Sequence, residues 1–157
     1  MDDVEYRKMS EMEDTAWWFR GKRAVVANMI ARFAPGERRL RGLDVGCGTG
    51  ANLALLGRFG AAHLSLSRAS ALALPYPARA FGVVALLDML YHRRVNDVTR
   101  SLTEVARVCR PGGLLVITDS AFEFLKGPHD VAYQPARRFR RHELAQLVAA
   151  SGFEILR

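Results

Sequence analysis

Asp44 stands two residues ahead of three alternating glycines, Gly46, Gly48 and Gly50, in the stretch GLDVGCGTGANLALL. With no Cβ in the way, glycines at that spacing let backbone amides and carbonyls come close to a ligand. Gly46, Gly48 and Ala51 also satisfy G-x-G-x-x-G/A, the pattern of a turn that cradles a pyrophosphate. Asp44 argues against that anion. At the end of a strand it would place a negative charge beside the phosphates, so a cationic ligand is favoured instead. Gly50 adds a further close approach, suited to the amino-acid portion of a ligand. From Val45 to Leu87 there is neither Asp nor Glu, so no carboxylate follows to hold a ribose diol.

Other side chains are candidates for chemistry. His92 lies just past a strand ending at Asp88 and could act as a general base toward an oxygen or nitrogen nucleophile, or serve structure alone. His63, His129 and His142 have no metal-ligand spacing, and no metal is expected. Cys47 and Cys109 have neither that spacing nor a disulfide framework and read as reduced thiols. Arginines 137, 138, 140 and 141 form either a solvated face or a bidentate grip on an acidic substrate. Trp17 and Trp18 divide between covering a cleft and helix packing, with Trp18 on the apolar stripe.

The elements that must position these residues alternate. Ser10 and Glu13 have capping-box spacing, and Trp18, Val25, Val26, Met29, Ile30 and Phe33 recur on one helical face closed off at Pro35-Gly36. RLRGLDVG reads as a buried strand entering the glycine turn, and ANLALLGRF as the helix it opens. AFGVVALLDML is apolar without alternation, as expected of a strand covered on both faces. Asn96 or Asp97 caps a helix with the face Val98, Leu102, Val105 and Val108, which Arg110-Pro111-Gly112-Gly113 stops. LLVITDS is a third buried strand, RRHELAQLVAASG a helix ended by Gly152, and FEIL a terminal strand. This order predicts a doubly wound α/β fold with a mostly parallel sheet and a ligand at the carboxyl ends of its strands.

With 157 residues, the chain is expected to form one domain: a helical cap over 1–35 and an α/β core over 40–157. Half the residues are hydrophobic and a quarter charged, which excludes a disordered chain. The acidic start lacks the zones of a signal peptide, and no apolar run approaches the roughly 20 residues of a membrane span, so a cytoplasmic location is expected. The net charge of +7 comes from arginines spread along the chain. Without stacking aromatics at regular spacing or a reader motif, nucleic acid is not an expected partner.

LDVGCGTG together with RVCRPGGLLVIT resembles the class I S-adenosylmethionine-dependent methyltransferases. WWFRGKR, LPYPARAFGVVALLDMLYH and the closing GPHDVAYQPARRFRRHELAQLVAASGFEIL are similar to the bacterial small-molecule branch of that family. The resemblance implies a Rossmann-like methyltransferase fold, S-adenosylmethionine as cofactor and a small-molecule acceptor. It also implies that Asp44, Gly46, Gly48 and Gly50 meet the methionine end of the cofactor, with Asp88 and His92 bordering the methyl group and substrate. The alternatives are a non-catalytic methyltransferase-like domain and a nicotinamide-dependent oxidoreductase, the latter disfavoured by Asp44 and the RPGG turn.

The chain departs from the family between the glycine helix and the LP loop, where GAAHLSLSRASALA replaces a strand, a helix and a strand. Read forward, Ser65 falls where the ribose-binding acid belongs; read backward, Ser70 falls where the acid near the adenine amino group belongs. A neutral hydrogen bond contributes about 0.5–1.5 kcal/mol where a charged acceptor gives roughly 1.5–3. Two lost carboxylates would therefore weaken cofactor binding by about one to three powers of ten. Gly82 stands where FD is usual, and Tyr91 where an acid commonly precedes the histidine. The family's last strand is also missing, so the sheet is expected to be short on two sides, with a homodimer or marginal stability as the consequence.

Overall fold

The computed structural model describes residues 3–34, 40–59, 65–121 and 137–156. Among the described residues three parallel strands form one sheet in the order β1-β2-β3: β1 Gly42–Asp44, β2 Phe81–Leu87 and β3 Cys109–Thr118. The helices described are α1 Asp3–Met12, α2 Trp17–Phe33, α3 Leu53–Gly57, α4 Val98–Val108 and α5 Arg141–Ala150. Every residue of β2 is buried, which explains the unbroken apolar run: successive side chains enter opposite layers. Val84 and Leu86 pack in one layer with Leu102, Val105 and Val108 of α4 and Val148 of α5. Val83, Ala85 and Leu87 pack in the other with Val26 and Ile30 of α2 and Leu55 and Leu56 of α3. Helices thus cover both faces, as a doubly wound sheet requires. Among the described residues no helix is long and apolar enough to cross a membrane.

The N-terminal region differs from the expected single helix. Ser10 lies inside α1, the chain turns over 13–16, and Ala16 precedes α2 without a side-chain cap. The capping box does not form because the Glu13 carboxylate accepts from the Thr49 hydroxyl of the glycine turn. Of the apolar stripe on α2, Val26 and Ile30 are buried, whereas Trp18, Val25 and Met29 remain exposed. Six positions span a wider arc than the face of a three-stranded sheet can cover. Pro35-Gly36, the expected stop, lies outside the described residues.

Asp97 caps α4, its carboxylate accepting from the Arg100 amide at 2.9 Å, and the four expected apolar positions of that helix are buried. The RPGG segment belongs to β3 as a bulge rather than standing ahead of it: the register passes from Phe81↔Cys109 to Val83↔Leu114, with Gly112 at φ 70°. A Cβ at Gly82 would come within 2.7 Å of Leu40 Cδ2, so a larger residue there would have to displace the tip of that buried leucine. No strand forms at 153–156. Phe153 packs into the core beyond Gly152 at φ 95°, while Ile155 and Leu156 stay nearly half exposed and, among the described residues, have no strand partner to bond their backbone.

Between α3 and β2 the chain runs through 65–79 without sheet pairing, and α4 holds its second half. Arg107 donates to the carbonyls of Leu74 and Tyr76 at 2.9 and 2.8 Å and to both oxygens of Glu104 at 2.8 Å. Glu104 in turn accepts from the Leu74 amide at 2.8 Å. Arg100 adds a bond from Nε to the Leu72 carbonyl at 3.1 Å.

Candidate active site

At the carboxyl ends of the strands lies a cleft of about 1600 Å³, closed on its other side by α1 and the start of α2. Each strand reaches it through an aspartate: Asp44 closes β1, Asp88 follows β2 and Asp119 follows β3. The parallel register brings these three ends together, since Asp44 pairs with Ala85, and Leu87 with Thr118.

Asp44 is 8% exposed, and among the described residues neither carboxylate oxygen has a hydrogen-bond partner. Burial pushes its pKa up to about 7, against a smaller opposing pull from Lys22. A buried carboxylate left without donors is destabilising unless a ligand supplies them. Beside it, Gly46 and Gly48 have φ of 82° and 54°, a left-handed backbone that glycine adopts without strain. A Cβ at Gly46 would lie 3.0 Å from Met89 Cβ, so a side chain there would be crowded as well as strained. Both glycines line the cleft, as does Cys47, whose thiol burial and the neighbouring Asp44 charge keep protonated. Gly50, at φ 88°, instead closes the turn through its amide to the Cys47 carbonyl at 2.8 Å and lies outside the lining.

Asp88 has φ 55°, a left-handed conformation rare outside glycine although aspartate adopts it more readily than most residues. Its carboxylate is held on both sides, by the Thr118 hydroxyl at 3.1 Å and by the Lys22 ammonium from α2. Lys22 also lies 5.6 and 5.3 Å from the ring centres of Trp18 and Phe19. Both tryptophans line the cleft, with Trp17 81% exposed, so the expected division between covering and packing does not appear. α1 closes over the glycine turn: Met9 Cε lies 3.5 Å from where a Gly48 Cβ would stand.

His92 lines the cleft, and its Nδ1 accepts from the Arg94 amide at 3.2 Å. Burial lowers its pKa first, with smaller pushes in the same direction from Arg94 and Arg93, so the ring is neutral near pH 7. With Nδ1 accepting, the ring proton is on Nε2, and the nitrogen left for a ligand is a donor. Ser70 lines the cleft, and its hydroxyl accepts from the Leu72 amide at 3.1 Å; Ser65 is exposed and outside the lining. The site thus brings together Asp44, Gly46, Gly48, Ser70, Asp88 and His92 but not Ser65 or Gly50. Sequence reasoning missed Asp119 and Lys22. Asp119 carried a signal, since it follows its strand as Asp44 and Asp88 follow or close theirs; Lys22 carried only its place four residues after Trp18.

The cleft thus carries a buried, unpartnered acid beside left-handed glycines at a strand's carboxyl end, and residues 18–157 match the family model described as a methyltransferase domain. The chain belongs to the methyltransferase-domain family. No curated protein matches it. Among solved structures, this methyltransferase domain is similar to the 4+2 cyclase SpnF at 24% identity and TM-score 0.70, over 91% of this chain and 61% of that one. An S-adenosylmethionine-dependent methyltransferase from Thermotoga maritima aligns at 22% identity and TM-score 0.69, over 97% of this chain and 78% of its own. Another, from Aquifex aeolicus, aligns at 17% identity and TM-score 0.70, over 100% and 91%. At these identities the likeness establishes the Rossmann-like methyltransferase fold. A cyclase among the neighbours illustrates that the fold alone does not dictate the reaction.

Proposed function

We propose that this domain catalyses S-adenosylmethionine-dependent methyl transfer to a small-molecule acceptor. The observation that carries the reading is Asp44, buried with both oxygens lacking donors, beside two left-handed glycines that face the cleft. Those residues fit the methionine end of the cofactor, whose ammonium would supply the missing donors. Gly50 would shape the turn from behind, and Ser70 would face the nucleoside. Asp88 and His92 would border the transferred methyl, with His92 offering Nε2–H as a donor. The bound cofactor supplies a methyl group on a sulfonium. The chain's own residues then act chiefly by alignment, holding nucleophile, carbon and sulfur in line and keeping water out under α1 and α2. The segments 1–35 and 40–157 together are read as one domain, with α1 covering the site.

Parallel calorimetric titrations with S-adenosylmethionine, S-adenosylhomocysteine and NAD test the reading. Binding of the first two and not the third is expected; binding of NAD alone would overturn it. A second reading, a domain that has kept the fold and lost the cofactor, is favoured by the exposed Ser65 to Ser70 stretch, which offers no acid to the nucleoside. It predicts no heat with any of the three at millimolar concentration.

A further inference from the structure

Of the three aspartates that the strands bring to the cleft, two have evident assignments. Asp44 faces the glycine turn, and Asp88 is paired with Lys22 and accepts from the Thr118 hydroxyl. Asp119 is different. Among the described residues it forms no ion pair, its Oδ1 accepts from the Ser120 amide at 2.8 Å, and its Oδ2 is buried without a hydrogen-bond partner. It lines the cleft on the β3 side, away from the glycine turn across the width of the sheet. Resting on the methyl-transfer reading, we propose that the acceptor is an amine and that Asp119 is the catalytic residue that binds its ammonium and removes the proton.

The alternative base in the cleft is already engaged. His92 Nδ1 is occupied by the Arg94 amide, which leaves the imidazole a donor at Nε2. A carboxylate must therefore accept the proton; away from the glycine turn the cleft offers Asp88, which is paired with Lys22, and Asp119, which among the described residues has no ion pair. Its chemistry suits the task. Burial, and more weakly Asp88, push its pKa up to about 7, against the amides of Ser120, Leu90 and Tyr91, which favour the charged form. A base that titrates near neutral pH can both take and release a proton in each turnover. The charged or titratable groups lining the same cleft include Asp44, Asp88, Lys22, His92, Arg94 and Arg138. Burial also pushes Asp44 up to about 7, so it titrates in the same range, and it is the loss of the pH-dependent rise in the Asp119 variant that assigns that rise to Asp119. Arg138 directs Nη1 to the Ala121 carbonyl at 3.0 Å.

In the step itself, one ammonium proton passes to Asp119 Oδ2. The freed nitrogen lone pair forms the bond to the methyl carbon as the carbon–sulfur bond breaks. That electron pair stays on sulfur, leaving a thioether, and Asp119 returns its proton to water. An alcohol cannot replace the amine, since it brings no positive charge, and a carboxylate acceptor would be repelled by Asp119.

Three probes of matched shape test the assignment: phenethylamine, phenethyl alcohol and 3-phenylpropanoate, titrated into the full chain with and without saturating S-adenosylhomocysteine. The amine is expected to bind at least about tenfold more tightly than the other two, the margin of a charge-assisted over a neutral contact. Asp119→Asn should abolish that preference while leaving S-adenosylhomocysteine affinity within about twofold; Asp119→Glu should keep part of the preference. In the parent, amine affinity should rise from pH 6 to pH 8 as Asp119 ionises, and the variant should lose the rise. Because Asp119→Asn removes a buried group that prefers to be neutral, its Tm should equal or exceed the parent's, which separates lost binding from lost fold. Equal affinity for all three probes, or an amine preference that survives in Asp119→Asn, would overturn the proposal. Failure of S-adenosylhomocysteine to bind would instead sink the methyl-transfer reading, while the probe selectivity would still be measurable without it.

Discussion

The cleft has two unlike rims. On the glycine-turn side, Asp44 is nine-tenths buried, Gly46 and Gly48 hold left-handed backbone, and Glu13 from the helical region reaches across to Thr49. On the flank formed by residues 65–71, most side chains are exposed, and the polar atoms offered to a ligand are serine hydroxyls and the Arg68 guanidinium. The first rim carries a buried, unsatisfied acid that is destabilising until a ligand arrives; the second gives up little by staying empty. Binding energy should accordingly be concentrated at one end of the cofactor, with the other end held loosely.

The largest test removes the built rim. Asp44→Asn should weaken S-adenosylhomocysteine binding about 10- to 100-fold, the range of one lost charge-assisted contact. The same variant should be more stable than the parent without ligand. Asp44 is pushed up to about 7, so the folded chain holds a proton that the unfolded chain, with its carboxyl near 3.8, has released. Stability from this group is therefore lost as pH rises from about 4 through 7. The Tm advantage of Asp44→Asn should grow from pH 5 to pH 8 in thermal melts, and a constant difference would mean that Asp44 is ionised and partnered.

The second test addresses the loose flank. Glu104 is held down to about 2, first by its hydrogen bond from Arg107. The stabilisation is present above the ordinary carboxyl pKa and lost as pH falls through about 2. Arg107→Ala removes the donors that fix Leu74 and Tyr76, and should lower Tm by a few degrees and speed proteolysis near 72–79. Cofactor affinity should change less than in Asp44→Asn. A larger loss of affinity would show that the flank contributes more than its exposure suggests.

The smallest effect separates the two serines. Ser70→Asp should tighten S-adenosylmethionine about fivefold, the gain of a charged over a neutral acceptor, whereas Ser65→Asp should leave affinity unchanged. The reverse order would mean that the forward alignment of this segment describes the bound state better.

How much of this was legible in the sequence follows from locality. The strand GVVALL, the Asp97 cap and the α4 face were readable because each depends on near neighbours in the chain: an unbroken apolar run, a carboxylate before a helix, a repeat of three or four. The break at 13–16 was not, since Glu13 is claimed by Thr49, 36 residues away. FEIL has the composition of a strand but no partner among the described residues, and strand formation depends on the partner. Asp119 was passed over because ITDS read as the end of a strand, although Asp44 and Asp88 had already shown that acids at strand ends meet in space. The nearness of Lys22 to Asp88 spans 66 positions and has no sequence signal at all.

The clamp from α4 onto residues 72–79 has a consequence for how such a chain can change. Arg107 and Glu104 fasten the approach to β2 through main-chain carbonyls and an amide, contacts that do not depend on which side chains occupy the fastened segment. What precedes Leu72 can then lengthen or shorten without shifting the register of β2. The contracted segment is an insertion-tolerant seam, where variation in length is decoupled from the integrity of the sheet. The two ends of the cofactor site can therefore evolve at different rates, and an added strand–helix unit could be grafted there while the glycine turn stays as it is.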